Sequence, residues 1–556
     1  MSENSRGEAD RCLKPDAVPL PFLERQGDRM RLIVDGEPFI ALAGEVHNSS
    51  ASSLAYMERV WDCLSALNCN TALVPVYWEL TEPEEGHFDF TLVDGLLEGA
   101  RAHRLRLVLL WFGTWKNTFS SYAPAWVRRD LHRFPRAHTN PGVNTTCITA
   151  WSTEAREADT RAFAALMRHL KAVDETHRTV LMVQVQNEVG LLGSSRDHCP
   201  LAEAAYFQPV PQPLLSGIEA RKHRLHPALS NAWNTAGACR SGTWSEVFGT
   251  AADEVFMAWH FAQYIEKIAS CGKKNYLLPF FVNAWLVQHD AEPAGSYPSG
   301  GPVSRMIDIW SCAAPSIDFL APDIYIQDFA GVCAEYASYG NPLFIPEARR
   351  DLTCAAHAFY AIAEHNALGF APFGIDSIGI ADEQNLAGAA ADASRTIRTD
   401  ADGTLLARSY RLLSDLMPLL THHQSTGRMR GILQTSEDSQ EIVLGNYRLR
   451  IEFTTALSDA RAPAGGLVIA LADDEYLAAG FSYRLTFDSL QPQERYAEVL
   501  EISEGHIEHG EWRPGRRLNG DEMEVRFDTC PSLRRIKLLQ WPLKTTQVCS
   551  WTEPFG

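Results

Sequence analysis

The order of elements along the chain predicts a closed parallel (β/α)8 TIM barrel followed by a C-terminal antiparallel β-sandwich. Three observations carry this. Short apolar runs of strand length alternate with helical segments as eight strand-then-helix units, which favours a closed barrel over an open doubly wound sheet. No Gly-x-Gly-x-x-Gly follows the first strand, which lowers the standing of a dinucleotide fold. Near Arg428 the texture changes to short alternating runs, broken by turn pairs such as Gly445-Asn446, Asp473-Asp474 and Asn519-Gly520, the pattern of a sandwich. The expected organisation is a polar tail or edge segment over 1–28, the barrel over 29–425 and the sandwich over 426–556.

Taken in order, Arg31 to Leu42 reads as two short strands around an Asp35-Gly36 turn, the second running into Ala43-Gly44-Glu45-Val46-His47-Asn48. A helix near 56–68 places Val60, Trp61, Leu64 and Leu67 on one face. The second strand is Thr71–Trp78. After a loop, a helix near 91–103 leads to the third, Leu105–Phe112, and a long loop carries Trp115, Tyr122 and Trp126. A helix near 154–174 has Phe163, Leu166, Met167, Leu170 and Val173 on one stripe and leads to the fourth strand, Val180 onward. Residues 191–250, rich in proline and glycine, read as a long irregular segment, a wall or lid over a site. The fifth to eighth strands are Leu277–Trp285, Asp318–Tyr325, the run ending at Glu347, and Leu368–Asp376, separated by helices near 303–312, 328–339 and 353–366. A last helix near 403–421 closes the barrel.

The composition is that of a large globular core: 46% of the 556 residues are hydrophobic. The formal net charge of -19 repels phosphate backbones, so nucleic acid is not an expected partner. A membrane is not expected either, since there is no basic block and no apolar run of spanning length. The first ten residues lack the basic start and apolar core of a secretory signal, which gives a cytoplasmic expectation. The 12 cysteines include no Cys-x-x-Cys pair and read as small buried hydrophobes in a reducing compartment. His198 and Cys199 stand together without a second cluster at ligand spacing, so no metal is assigned, and no cofactor is expected. A homo-oligomer is left open.

Chemistry is expected at two strand ends. Val180 to Gly190 is an apolar run that stops at Asn187-Glu188, and Pro342 to Arg350 is a second that stops at Glu347. Strict alternation puts Gln184, Gln186 and Glu188 on one face of the fourth strand and Asn187 on the other. A carboxylate at a strand end also caps turns or pairs with arginine. Two glutamates at the mouth of one barrel, however, are what glycosidic bond cleavage needs; in retaining enzymes they stand about 5–5.5 Å apart. Further groups expected to line the mouth are Glu45, Trp78, Glu79, Trp285, Tyr325 and Asp376. Glu82 and Asp89 read as loop ties, and His47 reads equally as structural or as a sugar contact.

With those residues in view, the chain resembles the large clan of (β/α)8 glycoside hydrolases with paired glutamates on strands four and seven. Gly44-Glu45-Val46-His47, the segment Trp78 to Phe90, and Pro124-Ala125-Trp126 are similar to motifs of glycoside hydrolase family thirty-five, mainly β-galactosidases. The resemblance covers roughly residues 30–420. It implies that Glu188 is the acid/base, Glu347 the nucleophile, and that Asn187 contacts the sugar 2-hydroxyl. It also implies a retaining hydrolase of terminal β-linked galactose, acting on an oligosaccharide or glycoside. A retaining β-glycosidase for a glucoside, mannoside or xyloside and an inactive carbohydrate-binding barrel are the alternatives. The family pattern is broken twice: Pro75 stands where many members have tyrosine, and the glutamate after the third strand is absent. Trp115, Lys116 and Asn117 are expected to take over those contacts, and Arg349 or Arg350 to keep Glu347 ionised.

Overall fold

The computed structural model describes residues 18–27, 29–289, 291–378, 404–458, 461–508 and 510–543. Most of the expected tail, together with Cys12 and Cys549, lies outside the described residues. Eight parallel strands close on themselves in chain order: β1 (Ala41–Glu45), β2 (Thr71–Tyr77), β3 (Arg106–Lys116), β4 (Val180–Asn187), β5 (Phe280–Trp285), β6 (Phe319–Ile324), β7 (Ile345–Ala348) and β8 (Gly369–Pro372). The seam is sealed where Gly369 pairs with Ala41. Every residue of β2 and of β4 is buried, which is why these strands read as continuous apolar runs rather than alternating ones. Helices such as Leu54–Ala66 and Thr153–Asp174 cover the outside. Each starts on a serine, Ser53 and Ser152, whose hydroxyl accepts from an otherwise orphan N–H of the first turn.

The barrel floor carries a three-stranded antiparallel sheet, Phe22–Gln26, Arg29–Val34 and Glu37–Phe39. Its second turn has Asp35 and Gly36 both at positive φ, 54° and 87°, the conformation a two-residue hairpin requires. Residues 22–26 are therefore an edge strand rather than loose chain.

Two stretches depart from expectation. Residues 191–250 hold four short helices, Pro200–Tyr206, Gln212–Arg221, Pro227–Thr235 and Trp244–Phe248, and not an irregular loop. Three of them have proline in the first turn, where its missing N–H costs nothing, so the prolines that looked like breakers are starts. The loop after β3 folds back as a hairpin, Arg136–Asn140 with Val143–Ile148. The closing helix is split into Thr404–Asp415 and Met417–His423, with Pro418 opening the second piece.

The C-terminal part is built of a six-stranded and a four-stranded antiparallel sheet. Between them lies a separate core that includes Leu449, Ile451, Tyr476, Phe487 and Ile536. The run read as Glu475 to Phe487 is two strands, Glu475–Phe481 and Tyr483–Ser489, hinged at Ser482 with φ 61°. The six-stranded sheet docks on helix Cys354–His365, which follows β7. There Arg430 forks onto Glu364 at 2.9 Å, and a side chain at Gly465 would strike Ala356. Among the described residues no helix is long and apolar enough to cross a membrane.

Candidate active site

The mouth of the barrel is organised by the end of β4. Regular alternation would send Asn187 and Glu188 to opposite faces. The chain avoids this by placing Gln186 and Glu188 in the left-handed region, φ 67° and 44°. The β3–β4 register slips at the same point, with five residues of β3 set against two of β4 between Trp111↔Val185 and Lys116↔Asn187. Gln186 turns outward: its Nε2 donates to Asp159 at 2.7 Å, and its Oε1 accepts from the Trp115 N–H at 2.8 Å. Asp159 is fully buried and also accepts from Trp111 and Thr114. Asn187 and Glu188 are left together in the mouth.

There they meet Glu347. Carboxylate oxygens of Glu188, Asp323 and Glu347 all lie within 4.8 Å of one another. Tyr325 donates its hydroxyl to Glu347 Oε2 at 2.7 Å, and Asn187 Nδ2 approaches Oε1 at 3.4 Å. Lys116 Nζ donates to Asn187 Oδ1 at 2.9 Å, which fixes which end of the amide faces the glutamate. Asn117, itself at φ 49°, donates to Glu188 Oε2. The Glu188 N–H donates to Asn283 Oδ1 at 3.0 Å, and Asn283 Nδ2 donates to Asp323 at 2.7 Å. Glu45 is fully buried at the end of β1, and neither of its oxygens has a protein partner among the described residues.

Burial of several carboxylates together determines their protonation. Glu188 is pushed up to about 7, first by burial and then by the charge of Glu347, with Lys116 opposing. Asp323 is held well above the carboxylate range by burial and by its three acidic neighbours. Glu45 is raised likewise by burial and then by Glu347, again with Lys116 opposing. These environments favour protonated carboxyls beside Glu347, so Glu188 suits a general acid at neutral pH. The Glu188–Asp323–Glu347 trio also has the dimensions of a cation site, and among the described residues it is the cluster that does. Protonation of Asp323 relieves the same crowding without an ion.

The remaining expected contacts divide. Lys116, Asn117 and Tyr325 are in the mouth, as are Glu45 and Asn187. Trp285 stands half-buried at the end of β5. Glu79 is half-buried beyond β2, its backbone tied to Tyr122, and its carboxyl is raised by burial with Arg128 opposing. Trp78, Trp115 and Asp376 need correction as sugar contacts. Trp78 is fully buried and donates to Glu82 at 2.8 Å. Trp115 is fully buried against Phe261 and Tyr264 and donates to the Ile148 carbonyl. Asp376 is spent on the His47 N–H and the Ser50 hydroxyl, closing the loop after β1. Both expected partners of Glu347 are engaged elsewhere: Arg349 pairs with Asp351 at 2.7 Å, and Arg350 reaches His47 and the Gly374 carbonyl. The ammonium nearest the acids is that of Lys116. Glu82 and Asp89 bind the loop N–H groups of Gly86 and Thr91. His198 bonds to Glu203. Sequence reasoning missed Asn283 and Asp323; the signal was a single polar residue inside each of the apolar runs Phe-Val-Asn-Ala-Trp and Ala-Pro-Asp-Ile-Tyr.

Residues 55–249 match the family model described as beta-galactosidase, glycoside hydrolase family 42. The match runs from the helix after β1 to the short helices that follow β4. The matching family is thus forty-two, a correction to the thirty-five that the short motifs resemble; strand-end motifs are too brief to separate barrels that share one mouth chemistry. Residues 406–527 match a domain of unknown function, DUF5597, which spans the last helices and most of the sandwich. No curated protein matches the chain. Among solved structures it is similar to a β-galactosidase from Bacillus circulans sp. alkalophilus at 16% identity, with 68% of this chain and 56% of that one covered and a TM-score of 0.45. A GH42 β-galactosidase from G. stearothermophilus is 13% identical over 90% of this chain and 98% of that one, with a TM-score of 0.46. The catalytic domain of a β-amylase from Paenibacillus polymyxa is 12% identical over 61% and 93%, with a TM-score of 0.42. The chain spans little more than half of the first of these proteins, 56%.

Proposed function

We propose that this chain is a retaining β-galactosidase of the family forty-two type, hydrolysing terminal β-linked galactose by double displacement. The observation that carries the reading is the approach of Glu188 and Glu347 oxygens to within 4.8 Å, on the retaining side of the ranges that separate retaining from inverting pairs. Glu347 attacks the anomeric carbon while Glu188 gives its proton to the leaving oxygen. Water then enters, Glu188 takes its proton, and Glu347 is released with retained configuration. Asn187, held by Lys116, is placed to bond the sugar 2-hydroxyl as oxocarbenium character develops. Tyr325 steadies the nucleophile. Glu45, with both oxygens uncommitted, is positioned to meet sugar hydroxyls at the floor.

The test is a panel of nitrophenyl glycosides with the wild type and Glu347→Ala. The expected outcome is turnover of the β-galactoside, its loss in the variant, and rescue by azide with an α-galactosyl azide product. Full activity of Glu347→Gln, or turnover confined to a glucoside, mannoside or xyloside, would overturn the assignment. Absence of turnover with every sugar would favour a binding barrel.

A further inference from the structure

Beside the mouth lies a groove of about 780 Å³ between the segment after β3 and the hairpin 136–148, lined among others by Phe119, Arg128, Arg129, Arg136 and Thr145. No aspartate or glutamate lines it, and among the described residues none of the three arginines is ion-paired. That is unusual on a chain carrying 69 acidic against 50 basic residues. Neighbouring Arg133, by contrast, is matched by Glu85 at 2.9 Å. Asp130, the acid closest in sequence, caps the His132 and Arg133 N–H groups, and Glu79, from the segment after β2, feels Arg128 without bonding to it.

The guanidiniums are held in place but not used up. Arg128 spends one N–H on the Ser121 carbonyl at 3.0 Å, and Arg136 one on the Arg128 carbonyl at 2.9 Å. Among the described residues Arg136 Nη1 is buried without a hydrogen-bond partner, a desolvated donor beside the groove. An exposed guanidinium with N–H groups left over, Arg128, beside the second positive charge of Arg136, is an arrangement that receives a carboxylate or sulfate. Phe119, 49% exposed, stands at the groove edge and is bridged to Lys116 by paired backbone bonds of 2.8 and 2.9 Å. Phe119 follows Asn117, whose amide meets Glu188, by two residues, so the edge of the groove adjoins the mouth.

We infer that this groove is a subsite for an acidic substituent, a carboxylate or sulfate, carried on the leaving-group side of the glycan, with Phe119 as a platform for its ring. This rests on the glycosidase reading for the position of the substituent, though not for anion binding itself.

The test compares β-galactosyl glucuronate with its neutral β-galactosyl glucose counterpart at low ionic strength. In the wild type kcat/KM should favour the acidic disaccharide at least tenfold, and added salt should erode the preference. In Arg128→Gln, whose side chain is exposed, and in Arg128→Gln/Arg136→Gln the ratio should fall toward one. Equal handling of the two disaccharides by the wild type, or an unchanged ratio in both variants, overturns the proposal. Calorimetric titration with glucuronate-terminated oligosaccharide and, separately, sodium sulfate decides the matter even if no galactoside is cleaved. Oligosaccharide binding lost in the variants supports the subsite. Sulfate binding as tightly as the saccharide reduces the groove to a free-anion site and overturns the glycan assignment, as does absence of binding by both probes.

Discussion

Glu188→Gln should make the protein more stable at pH 9 while leaving the difference small at pH 5. The wild-type carboxyl is only 5% exposed and rises from 4.5 to about 7 because its ionised form is buried beside Glu347. Folding therefore favours the protonated acid. That contribution is fully present below the unfolded value near 4.5 and is lost as pH rises through 7. A shift of about 2.5 pH units at 1.36 kcal/mol each makes ionisation in the fold cost about 3 kcal/mol. Glutamine has the same shape and never ionises, so it removes the cost and keeps whatever pH-independent penalty its altered hydrogen bonds bring. Thermal unfolding of both proteins at pH 5, 7 and 9 isolates the term: the Tm of the variant relative to wild type should climb by several degrees between pH 5 and 9. An identical Tm difference at all three pH values would refute the buried-acid account. The same substitution removes the general acid, so cleavage of poor leaving groups should fall by about two to four orders of magnitude.

Because Glu188 must be protonated in the first step, kcat/KM on an alkyl galactoside should decline above an alkaline limb near 7. Lys116→Met removes the positive charge that lowers this value, so the limb should move upward, and loss of the bond to Asn187 should cost about 1.5–3 kcal/mol, ten- to a hundredfold in kcat/KM. An unmoved limb would show that Lys116 does not act on the acid. Tyr325→Phe deletes the 2.7 Å bond to Glu347 and should lower kcat about tenfold or more with Tm nearly unchanged. Asp376→Ala strands the His47 N–H and the Ser50 hydroxyl and should lower stability by about 2–4 kcal/mol, read by chemical denaturation, while molecules that remain folded keep the wild-type kcat.

The barrel was legible because its strands are buried on both sides and its helices on one, so the two periodicities separate cleanly. The two glutamates were legible because an ionisable group that ends an apolar run has few structural excuses. What could not be read was where side chains go once the backbone leaves regular geometry. Alternation assigned Asn187 and Glu188 to opposite faces, and only the left-handed residues at 186 and 188 bring them together. Trp78, Trp115 and Asp376 sit at the right height on the barrel, yet each satisfies a polar atom with a partner remote in sequence or on the inward side of a turn. Asn283 and Asp323 are each a lone polar residue in an apolar strand, a pattern that carries no functional signal by itself, whereas in the fold the two bond each other across neighbouring strands. In 191–250 the richness in proline and glycine suggests an irregular segment, whereas three of the prolines stand in the first turn of helices.

The twist at the end of β4 has a consequence for anyone altering this protein. L-residues in that conformation rest uphill by about 1–2 kcal/mol apiece, and here Asp159 and Asn283 are the latches that keep them there. A random screen for lost activity should therefore return Asp159, a residue out of reach of any sugar. Attempts to retune selectivity would do better to leave these latches alone and vary the loops around the rim.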